Sequence, residues 1–259
     1  MAELNGAPVS ADALRTLALT NYGHFTAMRV EDGRVRGYSW HLDRLVDDCR
    51  ELFSTELDRE RVRAYVRSAA GGREGAFVLR VTVFDPGLDL GRIGGKAHPA
   101  VLVTGRPAPS LPVAPLRVRT AAYRRDLPRV KHIGLFGTLW HRREAIAAGF
   151  DDCLFHDGAG FVSEGTTWNI AFYDGRKVLW PSAEVLPGVT MRLLQQAHEG
   201  MVTAPVHLRD LSGMHAAFAT NTSAGVRPIA SIDGIDMTAE HGVFDTLRAE
   251  YQEIPAESL

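Results

Sequence analysis

The sequence predicts an α+β protein built as two domains. Strand-like and helix-like stretches follow one another in mixed order rather than in strict β-α-β alternation. After the first hundred residues comes GRPAPSLPVAP, with four prolines in about eleven residues, and proline suits neither a strand ladder nor a helix interior. At 259 residues, 45% hydrophobic and 23% charged, the chain can form one large domain or two modest ones and has the composition of a globular protein. The predicted division is residues 1–107, a linker at 108–113, and 114–259.

The elements follow from local pattern. HFTAMRVEDGRVRGY reads as a hairpin, with Phe25, Met28 and Val30 as strand residues and Glu31-Asp32-Gly33 as the turn. In HLDRLVDDCRELF, Leu42, Leu45, Val46, Cys49, Leu52 and Phe53 recur at three and four, the period of an amphipathic helix. DRERVRAYVRSAA is a second helix, and FVLRVTVFD and AVLVTG are Val-rich strands. Beyond the proline tract the pattern predicts a strand over LRVRTAAY, then a helix over LWHRREAIAAG that Gly149 stops. Strands over CLFHD, FVSEGTTWNIAFYD and KVLW follow, then a helix over TMRLLQQAHEG and a strand over AAFATNT.

Composition narrows the function. A net charge of −2 gives no bulk attraction to nucleic acid, and the short clusters Arg124-Arg125 and Arg142-Arg143 read as solvated faces. Two cysteines, Cys49 and Cys153, make neither a disulfide framework nor a zinc site, so no metal is expected. The first twenty residues lack the basic-then-apolar order of a signal peptide, and no apolar stretch approaches the ~20 residues of a membrane span. The expectation is a cytoplasmic protein without a membrane partner.

Several residues could carry chemistry. In PRVKHIGLFGT, Lys131 stands ahead of Ile133, Leu135 and Phe136, and desolvating an ammonium is expensive. In LPGVTMRLLQQA a sharp Pro187-Gly188 turn opens a helix. Val189 and Thr190 then sit where free N–H groups can hold a phosphate, or where Thr190 is simply an N-cap. TNTSAGVRP places Thr220, Asn221, Thr222 and Ser223 before Gly225, either an anion-binding concavity or a polar turn. Glu164, among strand residues, needs an arginine, backbone donors or a protonated ring nitrogen, unless it is a capping or surface carboxylate. His41 and Arg44 share a helix face in HLDRL, where Arg44 suits a phosphate or a surface ion pair.

Together these form an ordered set. A carboxylate lies about 33 positions after Lys131, a turn-helix cup about 25 beyond it, and a Thr/Ser cup about 32 beyond that. Pyridoxal 5'-phosphate needs such a set. Lys131 would form an imine with its aldehyde, Glu164 would keep the pyridine nitrogen protonated, and Val189, Thr190 and Thr222 would hold the phosphate with Arg44. A lysine in a restricted pocket loses its proton more readily, which makes it a nucleophile.

HLDRL, the run RVKHIGLFGTLWHRREAIAAGFDDCLFHDGAGFVSEGTTWNIAF, LPGVTMRLL and FATNTSAGVRPIASIDG span most of residues 21 to 234. In that order they resemble the class IV aminotransferases, the fold-type IV pyridoxal-phosphate enzymes. The group includes branched-chain and D-amino acid aminotransferases and aminodeoxychorismate lyases. The resemblance implies a smaller N-terminal α/β domain and a larger C-terminal one with a mixed β-barrel-like sheet. It also implies a cofactor between the domains and a homodimer that completes the pocket. Lys131 matches the Schiff-base lysine and proton carrier, Glu164 the partner of the pyridine nitrogen, and Arg44, Val189, Thr190 and Thr222 the phosphate-binding positions. Thr167 and Asn169 fall in the segment that supports the ring.

Departures bear on the substrate. Phe136 stands where branched-chain aminotransferases carry a tyrosine, five positions after the lysine. No Arg-x-His pair marks the FVLRVTVF strand; Lys96-Ala97-His98 lies later. Gly23-His24-Phe25-Thr26 has threonine where the transaminases have glutamate, a feature closer to the lyases. Phe25, Thr26 and Arg80 are the candidate substrate contacts. The expected activity is transfer of an amino group between a small-molecule amino acid and a 2-oxo acid; the alternative is a lyase of the aminodeoxychorismate type using the same lysine.

Overall fold

The computed structural model describes residues 2–259, with Arg92 represented by its backbone. The chain forms two compact units: residues up to Pro109 with Val130–Gly134 and Ala256–Leu259, and Ser110–Arg129 with Leu135–Pro255. Two short returns to the first unit thus depart from the single cut expected at the proline tract.

In the first unit, β1 (Ala2–Leu4) and β2 (Ala7–Pro8) precede α1 (Ala11–Thr20), β3 (His24–Glu31), β4 (Arg34–Arg36), α2 (Tyr38–Phe53), α3 (Arg59–Ala70), β5 (Ala76–Phe84) and β6 (Ala100–Pro107). The β3–β4 turn is the predicted one, with Asp32 and Gly33 at φ 49° and 73°, the left-handed geometry that matches strand twist. β3, β5 and β6 pair antiparallel over most of their length. His24, Thr26, Met28 and Val30 alternate onto one fully buried face of β3. Met28 and Val30 pack with Leu42, Leu45, Cys49 and Phe53 of α2 and Val62 and Val66 of α3. The predicted period of α2 is therefore the period of its buried face.

One edge of β3 is completed by a distant segment. The Phe25 N–H donates to the Lys131 carbonyl at 2.9 Å, and the Ile133 N–H donates to the Gly23 carbonyl at 3.0 Å. His24 and His132 form the bridge between them. This pairing draws Val130–Gly134 out of the sequence that surrounds it.

The second unit contains β7 (Leu116–Ala122), α4 (Phe136–Ala147), β8 (Asp152–His156), β9 (Val162–Gly165), β10 (Asn169–Tyr173), β11 (Val178–Pro181), α5 (Val189–Ala197), β12 (Met201–Ala204), β13 (Ala216–Asn221), β14 (Gly225–Ile232), β15 (Ile235–Asp236) and α6 (Gly242–Glu253). The predicted long strand FVSEGTTWNIAFYD is two strands. Gly165 lies so close to the Trp168 ring that a Cβ would stand 2.0 Å from it, and the chain turns there. β10, β13, β14, β7, β8 and β9 follow one another and β9 returns to β10, closing a six-stranded mixed barrel. β14–β7 and β7–β8 are parallel and the other pairs antiparallel.

Ile170, Phe172, Ala217, Ala219, Val118 and Leu154 pack together on one barrel face. Ala171 and Phe218 lie on the opposite face with Leu194 of α5 and Phe244 and Leu247 of α6. From α6 the chain returns to the first unit as β16 (Ala256–Ser258), antiparallel to β4. Among the described residues, no helix is long and apolar enough to cross a membrane.

Gly23 fixes where the Lys131 segment attaches. Its φ is +155°, and an added Cβ would stand 2.4 Å from the Val83 carbonyl. Gly23→Ala is expected to cost roughly 2–3 kcal/mol of stability, read as a lower midpoint in urea unfolding, with faster amide exchange at Phe25 and Ile133.

Candidate active site

On the first unit the candidate residues gather around the start of β3. Phe25 points away from α2, on the face that carries Arg80 and Thr82 of β5. Lys131 Nζ lies 4.8 Å from the Phe25 ring centre and the Arg80 guanidinium 3.7 Å from it, so the electron-rich ring holds two cations close together. Arg80 Nε also donates to Thr82 Oγ1 at 3.1 Å. Lys131 itself is half-buried.

The opposite face of β3 carries Thr26. Arg44 Nη2 donates to Thr26 Oγ1, and Thr26 Oγ1 lies 2.7 Å from His41 Nδ1. Arg44 Nη2 also stands 3.3 Å from that nitrogen. A guanidinium can only donate, so His41 Nδ1 is the acceptor and Nε2 carries the hydrogen. Thr26 is fully buried; its hydroxyl holds Arg44 in place. Burial, with Arg44 and Lys131 nearby, holds His41 well below the usual imidazole range. His24 is pushed down to about 3 by burial and by Arg44. Both rings are therefore neutral at physiological pH.

The second unit holds a separate constellation. Glu164, Asn169 and Thr220 lie in register across β9, β10 and β13. They share the barrel face that packs against α5, because Asn169 and Thr220 are two residues from Ala171 and Phe218. Arg125 Nε donates to Glu164 Oε1 at 2.8 Å, with both side chains buried. The Leu186 N–H donates to Glu164 Oε2 at 3.2 Å, and Asn169 Nδ2 donates to the Leu186 carbonyl at 2.8 Å. The main chain of one residue, Leu186, is thus gripped at both its N–H and its carbonyl just before α5 begins. Gly188 follows, where a Cβ would stand 2.2 Å from Asn169 Oδ1.

Gly188 is the N-cap of α5 and supplies no side-chain cap. The first N–H groups of a helix have no partner within it, so Val189 and Thr190 present theirs at the turn. Thr190 Oγ1 and Thr220 Oγ1 are buried without a hydrogen-bond partner among the described residues. Thr222 is half-buried in the β13–β14 turn, where Asn221 Oδ1 accepts from the Ser223 and Ala224 N–H groups. Thr167 is exposed, while its neighbour Thr166 is buried and donates to Asp152 at 2.6 Å.

The sequence reading passed over several of these residues. Arg125 belonged to a cluster expected to be solvated; Arg124 is indeed exposed and meets Glu184 at 3.1 Å, but Arg125 is buried against Glu164. Nothing in the dipeptide separates the two. Thr220 was read only as part of the Thr/Ser cluster; its parity with Phe218 sets its face, and its place opposite Asn169 comes from the β10–β13 register. Asp48, whose Oδ2 accepts from the Lys131 N–H at 3.1 Å, carries no motif. Among the described residues no group of His, Cys, Asp and Glu is arranged to hold a metal ion.

Comparison with known proteins fits this arrangement. The amino-transferase class IV family model matches residues 23–232, and the chain belongs to that family. It is 30% identical over 239 residues to a putative branched-chain-amino-acid aminotransferase of Methanocaldococcus jannaschii, covering 82% of this chain and 79% of that protein. In fold it is similar to the pyridoxal-phosphate-bound form of a hypothetical aminotransferase from Mycobacterium tuberculosis (TM-score 0.81, 19% identity, 97% and 98% of the two chains). It is also similar to a putative 4-amino-4-deoxychorismate lyase from Legionella pneumophila (TM-score 0.80, 22% identity, 92% and 93%).

The α+β expectation with a barrel-like sheet holds. Class IV aminotransferases are pyridoxal-phosphate enzymes, and this chain is an aminotransferase of that kind. Its residues fit the cofactor. An anionic phosphate suits an uncapped helix start beside an orphaned buried hydroxyl, and a pyridine nitrogen suits a carboxylate buried against Arg125.

Buried neutral histidines set the acid response. The folded His24 value lies below the value of about 6.5 in an unfolded chain, so its contribution to stability is present above about pH 6.5. It is lost as pH falls and the unfolded chain alone takes up the proton. His24→Gln is expected to remove up to about 1.4 kcal/mol per pH unit from the slope of stability between pH 6 and 4, measured by urea unfolding at a series of pH values.

Proposed function

We propose that Lys131 and Arg44 of the first unit, with Glu164, Asn169, Val189, Thr190 and Thr222 of the second, serve one pyridoxal phosphate in transfer of an amino group between an amino acid and a 2-oxo acid. The observation that carries the reading is the orphaned hydroxyl of Thr190 at the uncapped start of α5, joined through the Leu186 peptide to the buried Glu164. When bound, the cofactor supplies an aldehyde for amino groups and a ring that accepts electrons. Glu164, held by Arg125, keeps a proton on the ring nitrogen. Arg44 and the Val189 and Thr190 N–H groups balance the phosphate. Lys131 would hold the cofactor at its aldehyde and, as a free amine, would carry the proton to and from the substrate's α-carbon.

Lys131 is one of three lysines in the chain, and the other two, Lys96 and Lys177, are exposed. Arg80, stacked on Phe25 beside Lys131, is the proposed contact for a substrate carboxylate. Phe25 lines the same place. Thr26 acts through Arg44. Thr167 is exposed and is the proposed ring contact that lies at the surface of the chain. Free, buried Cys49 and Cys153 support a reducing compartment, and we place the protein in the cytoplasm.

A homodimer is supported by α4, which exposes Phe136 (81%), Leu139 (51%), Trp140 (52%) and Ile146 (54%). Residues three, four and seven apart share a helix face, and an apolar stripe of this size is unusual on a lone surface. Trp140→Glu is expected to shift the protein from dimer toward monomer in sedimentation velocity at micromolar concentration.

Borohydride treatment of the yellow protein should fix the cofactor on the peptide containing Lys131, and Lys131→Ala should abolish turnover. Transfer from an L- or D-amino acid panel to a 2-oxo acid tests the reaction; pyruvate release from aminodeoxychorismate without an acceptor would point to the lyase instead. Thr190→Val removes one hydrogen bond to an anion, worth about 1.5–3 kcal/mol. It should weaken cofactor binding by roughly 10- to 100-fold, read by fluorescence titration.

A further inference from the structure

The bridge between β3 and Lys131–Ile133 satisfies the lysine's carbonyl but not its N–H. That N–H donates to the carboxylate of Asp48 on α2, at 3.1 Å. Asp48 is 5% exposed and lies one turn beyond Arg44 and two beyond His41. A neutral acceptor would satisfy a backbone N–H equally well and at less desolvation cost. The carboxylate has something further to act on, because Lys131 and Arg44 are the cations whose fields reach it.

We propose that Asp48 is a positioning residue for Lys131, pinning its backbone to α2 and supplying the fixed negative charge against which the lysine nitrogen takes up and gives back its proton. The proposal rests on the reading of Lys131 as the cofactor-bonding lysine. The neighbouring titratable and charged groups are His41, Arg44 and Asp47 on α2, His24 on β3, Arg80 on β5, and Lys131 and His132 on the returning segment. Both His24 and His41 are held neutral by burial, and Asp47 is turned to Arg50 at 3.2 Å. The carboxylate beside Lys131 is then Asp48, set against the guanidinium of Arg44 on α2 and that of Arg80, which lies over the same Phe25 ring as the lysine nitrogen. Burial pushes Asp48 up to about 6, and the Lys131 N–H and the two cations hold it from going further. It is charged at neutral pH and lost as an anion under mild acid.

The test uses the protein loaded with pyridoxal phosphate. Asp48→Asn keeps an acceptor for the Lys131 N–H and deletes the charge; Asp48→Ala deletes both. In Asp48→Asn the Lys131 amide should exchange as slowly as in the parent. The absorbance change that marks loss of the proton from the lysine-linked cofactor should move to lower pH by at least about half a unit, because a nearby anion favours the protonated form. Asp48→Ala should show the same shift and, in addition, at least tenfold faster exchange at Lys131. An unmoved absorbance midpoint in Asp48→Asn, or unchanged Lys131 exchange in Asp48→Ala, overturns the proposal. Borohydride fixation on Lys96 or Lys177 in the parent would instead remove the reading of Lys131 on which it rests.

Discussion

The barrel closes through one residue pair, Glu164 opposite Asn169, and the second unit's candidate residues depend on that closure. The two side chains face the same way and reach the same residue, Glu164 taking the Leu186 N–H and Asn169 its carbonyl. That double grip sets where the chain turns at Gly188, and so where α5 begins. A helix start is useful for binding an anion only if its N–H groups are left uncapped and aimed. Here the aim is set by the strands, not by the helix. Glu164 can do this because Arg125 compensates its charge in the interior; removing either partner of such a buried pair typically costs about 3–5 kcal/mol.

The first unit uses a different device. Lys131 is not on a regular strand or helix; it is held by the Gly23 and Phe25 backbone along one edge of β3 and by Asp48 from α2. Polar groups beneath it are close together: His24, Thr26, His41, Arg44 and Asp48. Such a cluster would be costly if each member carried its charge. Burial and the Arg44 cation keep both imidazoles neutral, so the charges that remain are those the proposed chemistry uses.

How far the sequence disclosed this depends on period and on distance. α2 was legible because its buried face recurs at three and four. α1 buries no residue and α6 buries only Phe244 and Leu247, so neither announces itself by pattern. β14 contains Pro228, which disguises a strand. The motif residues Lys131, Glu164 and Thr190 stood out because each is chemically out of place in its local stretch. Arg125 and Asp48 did not, because their meaning lies in a partner 39 and 83 positions away; Thr220 stood out only as one of a cluster, its partner Asn169 lying 51 positions away and one strand over.

That distinction explains why the cofactor was readable and the substrate is not. A phosphate and a pyridine nitrogen need fixed donors and one acid, and residue types at ordered spacing reveal them. The proposed substrate contacts, Phe25 and Arg80, are an ordinary aromatic and an ordinary cation, set apart only by a stacking distance of 3.7 Å beside Lys131. Thr26 shows the same limit from the other side. As a substituent in a motif it suggested a substrate contact, yet strand alternation turns it to the α2 face, where its hydroxyl orients Arg44, the donor that sets the His41 tautomer. A one-residue step along β3 therefore separates groups that face the lysine's side chain from groups that support the arginine, and register, more than residue identity, decides which role each can take.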